Sequence, residues 1–210
     1  PISQDPPKVE TGGQINRVKA YDIRRNTLII NTQRPQSEAE KVLKINYTNG
    51  NSDLVPMTYT DARMGYTLIK LDPKKLPASA EHPSWSTPLQ FNFIGHVSPS
   101  HALAYENDDL MLSIPSSAVY DTVFVELRER YTNDSRIVSK VYEIGDGGVP
   151  LKGRYRVKVT PNGKAKRFPA NKLSAIEVLG NGSFNRPRQN NLVASPNQFR
   201  AFGIIGDMEG

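Results

Sequence analysis

The residues of this sequence best suited to catalysis are its three histidines, His82, His96 and His101. None of them is spaced as His-x-His, His-x-x-x-Asp or His-Glu-x-x-His, the patterns in which histidines hold a catalytic zinc ion. The absence of cysteine excludes disulfides, thiolate metal sites and a cysteine nucleophile. We therefore interpret His96 and His101 as polar residues near a domain boundary, where the two side chains could meet in space.

Two short segments have compositions that suit an ion site or a phosphate site. Glu106-Asn-Asp-Asp109 supplies the carboxylates that calcium prefers, but it lacks the spacing of a calcium loop, which favours a solvated turn. Gly145-Asp-Gly-Gly148 follows a strand and opens no helix, so it is interpreted as a turn and not a phosphate cradle. The sequence also has no Gly-x-Ser-x-Gly elbow. We expect no catalytic residue, metal or cofactor, although a hydrolase with a carboxylate pair, which sequence alone does not reveal, stays open.

Charge is distributed unevenly along the chain, whose net charge is +6. Residues 140–210 contain 12 Lys+Arg and 5 Asp+Glu, whereas residues 1–139 contain 15 and 16. A basic region of this kind is typical of contact with nucleic acid or an anionic cell-wall polymer, or of an ordinary solvated face. The residues predicted to contact an anionic polymer are Arg154, Arg156, Lys158, Lys164 and Lys166.

These basic residues are expected to lie on one side of a strand and its following turn. From Arg154 to Thr160 basic and apolar residues alternate, which predicts a strand with a basic outer face and Tyr155 directed inward. Asn162-Gly163 is predicted to form a hairpin turn. Because Tyr155 faces inward, no aromatic platform accompanies the cations, and we expect no specific nucleic-acid partner.

The elements that must position these residues are short strands. The 16 prolines and 15 glycines separate brief alternating segments, a pattern that predicts an all-β chain of two tandem antiparallel β-sandwich (Ig-like) units. The predicted organisation is an extended lead-in (1–13), unit 1 (14–97) and unit 2 (98–210). In unit 2, strands are expected near 109–114, 121–128, 136–144, 152–160, 172–179, 190–195 and 198–206.

Unit 1 is expected to contain strands at 14–21, 27–32, 42–48, 57–60, 66–71 and 89–94, with a helical turn at 36–41. A polar turn from Asp22 to Asn26 is expected to join the first two strands, and Asn49-Gly50 is expected to end the third. Residues 72–88 are predicted to form a surface loop, with Trp85 capping the edge of a core. No apolar run approaches the roughly 20 residues of a membrane span. The chain has no signal-peptide pattern and begins with proline, so we expect a processed or excised polypeptide, which leaves export open.

The order of features from Asp109 to Asp207 resembles a known envelope-protein region. It runs through Leu112-Ser-Ile-Pro115, Ala118-Val-Tyr-Asp-Thr122, Ser139-Lys-Val-Tyr-Glu-Ile-Gly145, Val149-Pro-Leu151, Lys172-Leu-Ser-Ala-Ile-Glu-Val178 and Phe199-Arg-Ala-Phe-Gly-Ile-Ile-Gly-Asp207. This is similar to the C-terminal β-sandwich region of lysostaphin-type murein metallopeptidases of Bacteroidetes. The zinc-ligand motifs of that family, His-x-x-x-Asp and His-x-His, have no counterpart here.

The resemblance implies a non-catalytic accessory or scaffold module of a bacterial cell-envelope protein, in the periplasm or on the cell surface. Its partners would be an envelope protein or a cell-wall or surface polymer. Asp121-Thr-Val123 also resembles the O-glycosylation acceptor of Bacteroidetes, with Thr122 as the acceptor. The alternative is a structural component of a larger assembly, such as a surface-layer, adhesin or virion protein, which would be an oligomer.

Overall fold

The computed structural model describes residues 20–24, 26–130, 132–178, 184–185 and 192–206. Throughout these residues the regular structure is β-strand, apart from short 3-10 helices. The chain divides into two compact units, residues 1–93 and 94–210. The predicted all-β class with tandem antiparallel β-sandwich units is therefore confirmed. The lead-in at 1–13 and nearly all of the first predicted strand lie outside the described residues.

Unit 1 consists of two four-stranded antiparallel sheets. Its strands are β1 (Tyr21–Arg24), β2 (Thr27–Gln33), β3 (Val42–Tyr47), β4 (Ser52–Pro56), β5 (Tyr59–Thr60), β6 (Met64–Lys70), β7 (Pro77–Glu81) and β8 (Leu89–Gln90), and the 3-10 helix η1 (Ala39–Lys41) precedes β3. The strand orders are β1-β2-β6-β5 and β4-β3-β7-β8. Alternate side chains of β2 and β3 are fully buried, namely Leu28, Ile30, Leu43 and Ile45.

The prediction of a surface loop over residues 72–88 is wrong. Within it, β7 (Pro77–Glu81) pairs with β3 on one side and β8 on the other, and Ala80 is fully buried. The strand consists of Pro, Ala, Ser and Glu, so it carries no hydrophobic alternation, and pairing with β3 decides its conformation. Trp85 follows it, half-buried, with its ring centroid 5.3 Å from that of His82.

Two further predictions in unit 1 need correction. The helical turn expected at 36–41 is reduced to η1 (Ala39–Lys41). The turn expected from Asp22 to Asn26 is shorter, because residues up to Arg24 belong to β1 and pair with β2. By contrast, Asn49-Gly50 does end β3 as expected: Gly50 has a φ of +84° and its N–H donates to the carbonyl of Tyr47 at 3.0 Å.

Unit 2 also consists of two sheets, with the orders β10-β11-β14-β17 and β16-β15-β18-β13-β12-β9. Its strands are β9 (Phe93–Val97), β10 (Leu103–Glu106), β11 (Leu110–Ile114), β12 (Val123–Arg130), β13 (Val141–Ile144), β14 (Arg156–Val159), β15 (Leu173–Val178), β16 (Phe184–Asn185), β17 (Val193–Ala194) and β18 (Ala201–Gly206). Three 3-10 helices connect them: η2 (Ser116–Ala118), η3 (Gly163–Arg167) and η4 (Ala170–Lys172).

Each strand predicted for unit 2 overlaps an observed strand, and the sequence did not reveal β10 or β16. The strand β18 lies between β13 and β15, and all six of its residues are buried. The single strand expected at 89–94 is instead β8 followed by β9, and β9 continues to Val97 within a sheet of unit 2. Within the described residues, no helix reaches the length and apolarity that crossing a membrane would need.

The predicted hairpin at Asn162-Gly163 is wrong. Gly163 lacks the positive φ that a two-residue Asn-Gly turn requires, and it begins η3 instead. The Asn162 side chain caps that helix, since its Oδ1 accepts the N–H of Lys164 at 2.9 Å. The neighbours of β14 are β11 and β17, neither of which follows it directly in the chain.

Candidate polyanion-binding face

The charge of unit 2 is concentrated in one segment that contains no acidic residue. Residues 147–176, here called the basic segment, include eight Lys and Arg and no Asp or Glu: Lys152, Arg154, Arg156, Lys158, Lys164, Lys166, Arg167 and Lys172. The whole chain has a net charge of only +6, so the remaining residues together are slightly acidic. The basic segment is therefore the main source of positive potential in this protein.

The strand β14 presents part of the basic segment on one exposed side. Arg154, Arg156 and Lys158 are exposed, whereas the intervening Tyr155 and Val157 are buried. Side chains two residues apart on a strand lie on the same face at a spacing of about 7 Å. The predicted basic outer face is thus present from Arg154 to Lys158.

Buried groups on the opposite side hold this row of cations in place. Tyr155 is buried, and its hydroxyl donates to the carbonyl of Gln198 at 3.0 Å. Burial raises the pKa of Tyr155. The guanidinium of Arg154 donates to the carbonyl of Ser195 at 3.1 Å, which fixes the side chain beside the end of β17 without neutralising it.

The surroundings of β14 leave its cations free for a ligand. Across the sheet, Ser113 lies opposite Arg156 and Met111 lies opposite Lys158 on β11. Glu106 on β10 lies opposite Met111 and is therefore two strands from Lys158. Asp109, whose carbonyl accepts the N–H of Thr160 at 2.8 Å, is already paired with Lys140. Neither Arg156 nor Lys158 forms an ion pair with any residue that the structure describes.

Lys164 and Lys166 lie elsewhere, in η3, just beyond the end of β14. Both are exposed, and Ala165 between them is buried. A 3-10 helix has three residues per turn, so these two lysines point to different sides. Arg167 donates to the carbonyl of Ser135 at 3.3 Å and is held against the protein. The residues predicted to contact the polymer therefore form two groups, one at β14 and one in η3, and do not share a single face.

Asp109, the last residue of the acidic cluster before β11, belongs to a structural network. The Oδ2 atom of Asp109 lies 3.0 Å from the Nζ atom of Lys140 and accepts the hydroxyl of Tyr142 at 3.4 Å. The hydrogen bond to Asp109 raises the pKa of Lys140, and burial raises that of Tyr142 to about 12. Asn107 caps its own turn by accepting the N–H of Leu110 at 2.8 Å. The described residues include no group of three or more potential metal ligands.

The histidines form one ring pair and one buried residue. The rings of His96 and His101 stack with centroids 4.6 Å apart and planes 12° from parallel, so the two side chains do meet. Burial, followed by the charge of His101, lowers the pKa of His96. His82 contacts the carbonyl of Glu40 at 2.8 Å and the hydroxyl of Ser84 at 2.7 Å through its two ring nitrogens. Both ring nitrogens of His82 therefore have hydrogen-bond partners within the protein.

The predicted glycosylation site lies at the start of β12. Thr122 is half-buried, and its N–H donates to Oδ1 of Asp121 at 2.7 Å. The side chain is therefore partly accessible, and its modification stays a prediction. Beside it, Tyr120 is one of the most exposed large side chains of the described residues.

Sequence reasoning missed two residues next to this face. Lys152 continues the even-numbered series of exposed cations towards the N-terminal end of the basic segment, and the alternation itself could have revealed it. No sequence pattern indicated Tyr120. Its part of the chain is linked to the basic segment only by the tertiary hydrogen bond between Ala118 and Lys152.

The comparison with known proteins gives one family match. Residues 96–177 match the family described as Zu5-like domain. The matched region is less than half of the chain, runs from β9 into β15, and contains every residue predicted to contact an anionic polymer. No curated protein matches the chain. Over residues 96–177, unit 2 is thus similar to a Zu5-like domain.

Proposed function

We propose that this chain is a non-catalytic accessory or scaffold module of a bacterial cell-envelope protein, exported to the periplasm or cell surface. Its basic segment would bind an acidic cell-wall or surface polymer. The observation that carries the proposal is the run of eight cations without an acidic residue, part of which lies unpaired on the exposed side of β14. A face of this kind suits a partner with repeated negative charges.

Pairing elsewhere in unit 2 strengthens this argument. Lys140 contacts Asp109, Arg130 contacts Glu143 at 3.0 Å, and Arg200 contacts Glu177 at 3.1 Å. The charge of a cation paired in this way is largely neutralised by its carboxylate partner, so it attracts an anionic ligand only weakly. The cations of β14 have no such partner among the described residues, so their charge remains available to a polyanion.

Two resemblances support an accessory role. The region from Asp109 to Asp207 resembles the β-sandwich that accompanies murein metallopeptidases, and this chain lacks the zinc-ligand motifs of those enzymes. The family match is to a domain and not to a catalytic site. A module of this type would bring an attached domain or a partner protein close to the polymer that it binds.

The test is cosedimentation with isolated bacterial cell walls at low ionic strength. The variant Arg156→Glu/Lys158→Glu is compared with the matched control Lys70→Glu/Lys74→Glu, which makes the same charge change at exposed positions of unit 1. A basic residue near an anionic surface contributes about 1 kcal/mol, so we expect the first variant to bind about thirtyfold more weakly. The control should bind as the unmodified protein does.

The outcomes separate specific binding from a general charge effect. Binding should also weaken as salt is added, because exposed charges are screened. Equal losses in both variants would mean that only the net charge matters, and undiminished binding of the first variant would exclude β14 as the contact. Either result contradicts the proposal.

A second candidate function is a structural component of a larger assembly. Unit 1 favours it, because Tyr59 and Leu68 are 51% and 38% exposed on the paired strands β5 and β6. Exposed apolar side chains are typical of protein–protein contacts when they adjoin one another. Sedimentation velocity over a range of concentrations distinguishes the two: an assembly component self-associates, and a monomer at every concentration excludes this candidate.

A further inference from the structure

The end of η2 packs against the basic segment near Lys152. The carbonyl of Ala118 accepts the N–H of Lys152 at 2.8 Å and that of Gly153 at 3.2 Å. The backbones are so close that a Cβ atom at position 153 would lie 3.3 Å from the Cα atom of Ala118. Ala118, at the end of η2, is therefore held against the basic segment.

An exposed aromatic residue follows this contact closely in the chain. Tyr120 is two residues beyond Ala118 and is 67% exposed. No ring contact or hydrogen bond involves its side chain within the described part of the chain. Since a tyrosine ring is apolar on its faces and polar at its tip, it suits ligands whose surfaces are apolar in one place and hydrogen-bonding in another.

The exposed cations extend away from this end as a row. Lys152, Arg154, Arg156 and Lys158 occupy alternate positions, and all four side chains are exposed. Within β14, Arg156 and Lys158 are about 7 Å apart along the strand, and Lys152 lies in a bend that precedes it. A succession of exposed cations suits a polymer with repeated charges, and the arginines can bind carboxylates with two parallel hydrogen bonds.

We propose, building on the polymer binding proposed above, that Tyr120 and the cations from Lys152 to Lys158 form a binding track for an acidic polysaccharide. A sugar ring stacks its apolar C–H face on Tyr120, and the acid groups of the following sugars contact the basic row. A polymer with the same charges but without rings gains nothing from Tyr120.

The distribution of exposed aromatics favours a polysaccharide over single-stranded nucleic acid. Nonspecific strand binding uses a series of aromatic side chains on which successive bases stack. Among the large apolar side chains that the structure describes as exposed, Tyr120 is the one aromatic of unit 2, and Tyr59 belongs to unit 1. One aromatic at the end of a row of cations matches a ligand held mainly by its acid groups.

The experiment compares two carboxylate polymers, polygalacturonate, which has sugar rings, and poly-L-glutamate, which has none. Affinities are measured by calorimetry at low ionic strength for the unmodified chain, Tyr120→Ala and Tyr120→Phe, with Tyr59→Ala as the matched control. Tyr120→Ala should weaken polygalacturonate binding about three- to tenfold and leave poly-L-glutamate binding unchanged. Tyr120→Phe keeps the ring and should bind polygalacturonate almost as tightly as the unmodified chain.

Each other outcome overturns a defined part of the argument. If the unmodified chain binds both polymers and Tyr120→Ala changes neither affinity, the inference about Tyr120 fails while polymer binding stands. If the unmodified chain binds neither polymer, both the inference about Tyr120 and the proposed function are wrong. If oligo(dT) binds more tightly than polygalacturonate and loses affinity in Tyr120→Ala, the ligand is nucleic acid and the polysaccharide assignment is wrong. Circular dichroism verifies that every variant is folded.

Discussion

Replacing Thr67 with valine is expected to stabilise unit 1. Thr67 lies in β6 opposite Ile30 and is 0% exposed. Its Oγ1 atom has no hydrogen-bond partner among the described residues. A buried hydroxyl without a partner has lost its hydrogen bonds to water and receives none in return, which costs about 1–3 kcal/mol. Valine has nearly the same shape and removes this cost.

The expected gain in the free energy of unfolding is about 1–2 kcal/mol. The lower part of the range of the desolvation cost is the better guide, because a hydroxyl can rotate and a sheet can relax slightly. With a urea dependence of about 2 kcal/mol per molar, the unfolding midpoint of unit 1 should rise by roughly 0.5–1 M.

Thr32 provides a matched control in the same sheet. It is also buried, but its Oγ1 donates to the carbonyl of Gly65 at 3.3 Å. Thr32→Val therefore removes a hydrogen bond and should destabilise unit 1 by about 0.5–1.5 kcal/mol. The two substitutions are chemically identical, and their opposite signs follow only from the presence or absence of a partner.

The assay uses the single tryptophan of the chain. Trp85 lies in unit 1 and packs against His82, so its fluorescence during urea titration reports the unfolding of that unit. This separates unit 1 from unit 2, whose own transition would otherwise complicate a two-state treatment. If Thr67→Val lowers the midpoint as Thr32→Val does, the hydroxyl of Thr67 has a stabilising partner and the reasoning is refuted.

Two further predictions concern unit 2. Gly145→Ala should destabilise it by about 1–3 kcal/mol, because φ there is +59° and the added Cβ would lie 2.8 Å from the ring of Phe199. Thermal unfolding followed by circular dichroism tests this, with Gly163→Ala as the control, since a Cβ at Gly163 would meet open space. A Gly145→Ala midpoint no lower than that of Gly163→Ala would contradict the prediction. NMR titration should give His96 a pKa below 6.5, and His101→Gln should raise it only part of the way to 6.5, since burial is the larger cause. Because the folded-state pKa of His96 is the lower one, its contribution to stability is present above pH 6.5 and is lost as the pH falls through the folded-state value; a His96 pKa at or above 6.5 would refute the assigned cause.

Local patterns predicted the basic face because strand alternation is a local property. The inward position of Tyr155 and the outward positions of Arg156 and Lys158 follow from a period of two and need no knowledge of neighbouring strands. The same local rule failed at β7 (Pro77–Glu81), whose small and polar residues carry no alternation although Ala80 is buried. The conformation of β7 is determined by its pairing with β3 and β8, which the residues of β7 alone do not indicate.

The two Asn-Gly pairs show how context changes the meaning of one motif. Asn49-Gly50 ends a strand whose partner follows directly, and Gly50 adopts a positive φ. Asn162-Gly163 follows β14, whose partners β11 and β17 come from distant parts of the sequence, so the chain turns into η3 and Asn162 caps it. The dipeptide permits a hairpin, but the availability of a partner strand determines whether one forms.

The sequence by itself determined the all-β class, the succession of short strands and the concentration of cations in the basic segment, because composition, turn residues and alternation act over a few residues. The tertiary structure alone decided that β18 lies at the centre of a sheet, that His96 stacks on His101, and that Ala118, two residues before Tyr120, is hydrogen-bonded to Lys152. These arrangements join residues through sheet pairing and loop packing, whose free energies depend on the whole unit and not on any one segment.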